Sequence, residues 1–137
     1  MGNNGIVRWI GGMQFMARPG DEGCALIMGD GGVSPMQLLL LSAAGCTSYD
    51  VVMILKKMRQ PIEGLEVEVS GERSEEHPRV YTEVHLHYKI YGDLEDGKVK
   101  RAIELSQEKY CSVAAQLRKG GTEITYSYEI VRGKGYP

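Results

Sequence analysis

The chain has few cysteines. Three, at positions 24, 46 and 111, are too scattered for a disulfide framework, and none forms the CxxC pair that would open a zinc site. There is no excess of positive charge. The formal net charge of −2 argues against a nucleic-acid binder, which carries a basic stripe. The first residues, MGNNGIVRWIGG, lack the apolar core of a secretory signal. The run Gly29-Asp30-Gly31-Gly32 lacks GxGxxG spacing and a following Lys-Ser/Thr, so it is no phosphate-binding loop and reads as a flexible connector. No internal repeat and no linker divides the 137 residues, which fit a single domain over 1–137. A cytoplasmic location follows as the default, and there an isolated cysteine is either a buried bystander or chemistry.

What the chain does have is one long apolar stretch, Pro35 to Met58, PMQLLLLSAAGCTSYDVVMILKKM. Ser34 predicts an N-cap, Pro35 suits a first turn, and Lys56, Lys57 and Arg59 suit the C-terminal dipole. Roughly 23 residues make a rod of about 35 Å, enough to cross a small domain or a bilayer. Gly45, Cys46, Thr47, Ser48 and Asp50 interrupt the run at its centre, and a charged Asp facing lipid costs about 2.5 kcal/mol or more. The expectation is therefore a core helix, apolar on almost every side, with no membrane partner.

Around it the pattern is mixed. Ile6–Ile10, Met13–Met16 and Cys24–Met28 read as three short strands, separated by Gly11-Gly12 and by the turn Arg18-Pro19-Gly20-Asp21. Leu65, Val67 and Val69 alternate with polar residues, and Glu72 to Pro78 reads as a charged hairpin tip. In the strand Val80 to Tyr91, Val84, Leu86, Tyr88 and Ile90 share one face, with Tyr81, Glu83, His85, His87 and Lys89 on the other. Residues 98–109 predict a helix with Val99, Ala102, Ile103 and Ser106 inward. A second helix over Cys111 to Lys119 ends at Gly120-Gly121, and Glu123 to Arg132 reads as a last strand. This order predicts an α+β fold with an antiparallel sheet.

Cys46 lies on the long helix and Cys111 at the start of another, where the helix N-terminus lowers a thiol pKa. Two thiols, one attacking and one resolving, reduce a peroxide through a sulfenic acid and then a disulfide. The plain alternative is that both are ordinary buried small residues. Asp50, on the same helical face as Cys46, opposes thiolate formation unless a cation pairs with it. His85 and His87 form an HxH pair, but two ligands do not make a metal site, and a solvent-facing strand accounts for them. Cys24 reads as a strand residue without a partner.

Two stretches together resemble the OsmC/Ohr family. SPMQLLLLSAAGCTSYDVVMIL is similar to its first-cysteine motif and EKYCSVAAQL to its second, while VEVSGERSEEHPRVYTEVHLHYKI between them resembles the YhfA-like branch. The resemblance covers about residues 34 to 131. It implies an OsmC-like fold in an intertwined homodimer, with the long helix in the dimer core and active sites at the interface. It also implies that Cys46 attacks a hydroperoxide, that Cys111 resolves, and that a dithiol reductant restores both, with no cofactor. The family's peroxidases set an Arg beside the reactive thiol and hold it with a Glu. Arg18 is the counterpart by position, but Met36 stands where the Glu belongs, and Gln37 faces another way. That departure favours the rival readings, a non-catalytic small-molecule-binding protein or a thiol redox sensor.

Overall fold

The computed structural model describes residues 3–20 and 23–133. They form two compact units that meet in the sequence between Leu39 and Leu40. In the first, β1 (Gly5–Gly11), β2 (Gln14–Pro19) and β3 (Leu26–Gly29) make an antiparallel meander in chain order, with Trp9 opposite Phe15 and Met16 opposite Ile27. The turn expected over Arg18 to Asp21 is described only as far as Gly20, and Asp21 lies outside the described residues. Cys24, expected in a strand, sits in the exposed approach to β3 instead.

The Gly29 to Gly32 segment is not a flexible connector. Its backbone is tied down: Gly29 N–H donates to Val33 O at 3.1 Å and Val33 N–H to Ile27 O at 3.1 Å. Gly29 has φ +99°, and a Cβ there would lie 2.0 Å from Met13 O, so glycine is required by close approach as well as by conformation.

The long helix α1 (Pro35–Lys57) begins with a capping box. Ser34 Oγ accepts from Gln37 N–H at 3.1 Å, and Gln37 Oε1 accepts from Ser34 N–H at 3.0 Å. Four-residue spacing then sorts the helix into stripes. Ala43, Thr47, Val51 and Leu55 are buried, while Leu41, Gly45, Tyr49 and Met53 lie open. Burial on nearly every side is thus met on one face only in the single chain, and Tyr49 on the opposite face is 76% exposed.

In the second unit β4 (Gly64–Arg73), β5 (Tyr81–Tyr91) and β6 (Glu123–Val131) form a second sheet in that order. β4 and β5 are antiparallel, but β6 runs parallel to β5, with Val84 opposite Ile124 and Ile90 opposite Ile130. The sheet is therefore mixed rather than antiparallel. The cause is the connection: α2 (Asp96–Leu105), a π-turn (Ser106–Tyr110) and α3 (Ser112–Lys119) carry the chain across before β6 starts, where a tight turn would have reversed it. The predicted helix over 98–109 is present, and it widens from α to π after Leu105.

Val84, Leu86, Tyr88 and Ile90 are buried on one face of β5, as their alternation predicts. Tyr81, expected on the other face, is also buried. Its ring lies over Gly71, where an added Cβ would come within 2.8 Å of it, so the missing side chain makes the room. The core is completed by the buried stripe of α1, by Val99, Ala102 and Ile103 of α2, and by Ala114 and Leu117 of α3. Each fully buried Val, Leu or Ile contributes about 1.5–3 kcal/mol.

Candidate functional site

The site is built where α1 meets the π-turn. Cys46 lies half-buried on α1, in the row between the buried and open stripes. Thr47, the next residue, is fully buried, and Asp50 follows one turn after Cys46 in the same row. On the other side, Cys111 N–H reaches back five residues to Ser106 O at 2.7 Å, the hydrogen bond that defines the π-turn. This wider turn ends with Cys111 in extended backbone as the N-cap of α3. The Cys111 side chain is buried, and its thiol lies near enough to Cys46 for the two to interact electrostatically.

Behind the two thiols runs a chain of polar side chains. Arg118 Nη2 donates to Gln107 Oε1 at 3.0 Å, and its Nη1 donates to the Gln107 carbonyl. Gln107 Nε2 donates to Tyr88 Oη at 2.9 Å and to Thr47 Oγ1 at 3.2 Å. Thr47 Oγ1 lies 2.7 Å from Tyr88 Oη and 2.7 Å from Ser106 Oγ. Ser106 Oγ donates to Asp50 Oδ2 at 2.8 Å. Each hydroxyl has one proton, so the direction is determined from the carboxylate end. Ser106 gives its proton to Asp50 and accepts from Thr47, and Thr47 accepts from Tyr88. The chain is polarised from the Arg118 cation to the Asp50 carboxylate, and hydrogen bonds so aligned strengthen one another.

The electrostatics of Cys111 differ from what its position at a helix start predicts. The Ala114 N–H does bond the sulphur and favours thiolate. Burial works the other way and is stronger, and the proximity of Cys46 and the negative charge of Asp50 add to it. The Cys111 thiol is pushed up to about 11, so it holds its proton at neutral pH. Tyr88 is raised to about 12, chiefly by burial, against the bond from Gln107 that favours its ionised form.

The structure brings Cys46 and Cys111 together. Arg18 lies on β2 in the N-terminal unit, where its guanidinium donates to the Gly20 carbonyl. Asp50, read from the sequence as awaiting a cation, has Ser106 as its hydrogen-bond donor. His85 and His87 project from β5 toward β6, where Thr125 and Ser127 bond their rings. Among the described residues, no group of three or more His, Cys, Asp or Glu is placed to hold a metal ion.

Sequence reasoning passed over Thr47, Tyr88, Gln107 and Arg118. The available signal was polarity at inward positions: Thr47 interrupts the buried stripe of α1, and Ser106 falls on the inward face of the helical pattern. Buried hydroxyls and amides demand partners. A largely apolar groove of about 390 Å³ opens beside Asp50, lined by Met53, Ile54, Met58, Leu105 and Tyr110 together with Lys57.

Comparison with known proteins gives a consistent result. The family model for OsmC-like protein matches residues 28–127. The protein YhfA of Escherichia coli K12 is 45% identical over 130 residues, covering 91% of this chain and 96% of its own length. The crystal structure of a hypothetical protein from Aquifex aeolicus VF5 is similar with a TM-score of 0.89 and 31% identity, over 98% of this chain and 99% of that one. The organic hydroperoxide resistance protein OhrB of Bacillus subtilis shares the fold at 16% identity, with a TM-score of 0.68 over 94% of this chain and 98% of its own.

Proposed function

The chain belongs to the OsmC-like family, and from that premise we propose that it is a thiol-dependent peroxidase in which Cys46 attacks a hydroperoxide and Cys111 resolves. Its relation to the OsmC and organic hydroperoxide resistance proteins supports a role in peroxide resistance. The observation that carries the finer reading is the proximity of two thiols that stand far apart in sequence.

The Cys46 thiolate forms an S–O bond with the outer peroxide oxygen as the O–O bond breaks, and the alkoxide leaves as an alcohol after taking a proton. The resulting sulfenic acid on Cys46 is attacked by Cys111, giving a disulfide and water. A dithiol then returns two electrons and two protons. The raised pKa of Cys111 fits the second role, because a thiol that keeps its proton does not compete for the peroxide. The largely apolar groove one turn from Cys46 fits a substrate with a hydrocarbon tail. The open apolar stripe of α1 fits cover by a second copy of the chain.

The test is one equivalent of cumene hydroperoxide, with thiol counting and mass spectrometry. The expected result is loss of two thiols and a Cys46–Cys111 link. Cys46→Ser abolishes peroxide consumption. Cys111→Ser consumes one equivalent and leaves a dimedone-trappable sulfenic acid on Cys46. Met36 favours the second reading, a binding or redox-sensing protein, because a thioether cannot hold a guanidinium as the carboxylate of family peroxidases does. Neither thiol reacting with peroxide would establish that reading instead.

A further inference from the structure

This inference rests on the thiol chemistry above and concerns the proton it leaves unassigned. Closing a disulfide between Cys46 and Cys111 requires a proton to leave Cys111. The side chain and the carbonyl of Ser106 point to where it goes. Its hydroxyl donates to Asp50 Oδ2 at 2.8 Å, while its carbonyl accepts the Cys111 N–H at 2.7 Å. Asp50 and Cys111 are therefore held by the same fully buried residue. Cys46, one turn before Asp50 and near the Cys111 thiol, closes the ring.

The carboxylate is also prepared for the task. Among the described residues Asp50 enters no ion pair. The donors of the polar chain from Arg118 all point toward it, and the chain ends on Oδ2. The charged and titratable groups around Cys111 are Cys46 and Asp50 from α1 and Tyr88 from β5, with Glu108, Lys109, Arg118 and Lys119 beside its own cavity. Of these Arg118 is engaged by Gln107, and Asp50 is the carboxylate hydrogen-bonded to Ser106.

We propose that Asp50 accepts the proton of Cys111 when Cys111 attacks Cys46, and that Ser106 is the positioning residue that holds donor and acceptor together. With a sulfenic acid on Cys46, the S–S bond forms as the Cys46 S–O bond breaks. The proton passes from Cys111 to Asp50 and on to the departing hydroxide, which leaves as water. With an aryl thiol in mixed disulfide on Cys46, the bond to the aryl sulphur breaks, the aryl thiolate departs with the electron pair, and Asp50 releases the proton to solvent.

The second reaction allows a test that does not depend on peroxide. In a Cys24→Ser parent, the symmetrical aryl disulfide of thionitrobenzoate should release its coloured thiolate in two steps, first on loading Cys46 and then on attack by Cys111. Asp50→Asn should keep the first step and slow the second at least about tenfold at pH 7. In Asp50→Asn the second step should also rise by up to about tenfold per pH unit, as hydroxide replaces the lost acceptor and generates thiolate. Asp50→Glu should restore much of the rate, and Ser106→Ala should give an intermediate loss. Equal second-step rates in parent and Asp50→Asn would overturn the proposal, as would a slowing of the same factor at every pH, which marks displaced thiols rather than a missing acceptor. Cumene hydroperoxide is run on the same proteins with dimedone. A longer-lived sulfenic acid in Asp50→Asn supports the assignment. No sulfenic acid in either protein, with the aryl-disulfide difference intact, overturns the peroxidase reading while upholding the role of Asp50.

Discussion

At the scale of single residues, Cys111 shows how competing effects are decided. Its N-cap position supplies one favourable contact, the Ala114 N–H, to a thiolate. Removing the sulphur from water costs the charged form more, and the net result is a shift from 9.0 to about 11. The stability consequence follows by linkage. A group that binds its proton more tightly when folded adds stability in full below its unfolded value and loses it as pH rises through the folded one. Urea unfolding should therefore show stability falling between about pH 9 and 11, with Tyr88, raised from 10.0 to about 12, extending the fall above pH 10. Cys111→Ala should flatten the lower part of that decline and Tyr88→Phe the upper part. An unchanged slope in Cys111→Ala would show that the thiol holds its proton equally in the folded and unfolded states. None of this was legible in the sequence, where a cysteine at a helix start carries the sign of the helix end but not the depth of its burial.

At the scale of elements, α1 was the most legible. Its length, its cap and its central interruption all stood in the linear pattern, and the alternation of β5 named its core face correctly. The direction of β6 was less accessible, because alternation is the same for a strand read either way. Only the connection through α2 and α3 sets it parallel. The π-turn left no trace in periodicity, since it is one five-residue excursion between two helices, yet it determines where Cys111 sits. The stripes of α1 carry a prediction of their own. Leu41, Gly45, Tyr49 and Met53 form an open row along more than three turns, and an apolar row of that length calls for cover. Sedimentation at micromolar concentration should give a dimer. Leu41→Glu combined with Tyr49→Glu should disrupt it, because each carboxylate would have to be desolvated or protonated at the contact. A folded wild-type monomer at that concentration would remove the second copy from the account.

At the scale of the whole molecule, the pair Cys46 and Cys111 joins two elements far apart in the chain. If the pair is linked, the bridge encloses about 65 residues, including the hairpin of β4 and β5, all of α2 and the π-turn. In the chain-entropy account a loop of that size removes about 4 kcal/mol of freedom from the unfolded state. The oxidised protein should therefore melt higher than the reduced one, by on the order of 10 °C, and Cys111→Ser should show one melting temperature under both conditions. Equal melting of the linked and reduced wild-type protein would mean that strain in the bridge cancels the gain. Otherwise a redox cycle at this pair would have a mechanical rhythm. Each encounter with an oxidant would leave the second unit laced shut, and each reductant would unlace it, so that resistance to proteases and heat would rise and fall with the oxidant load.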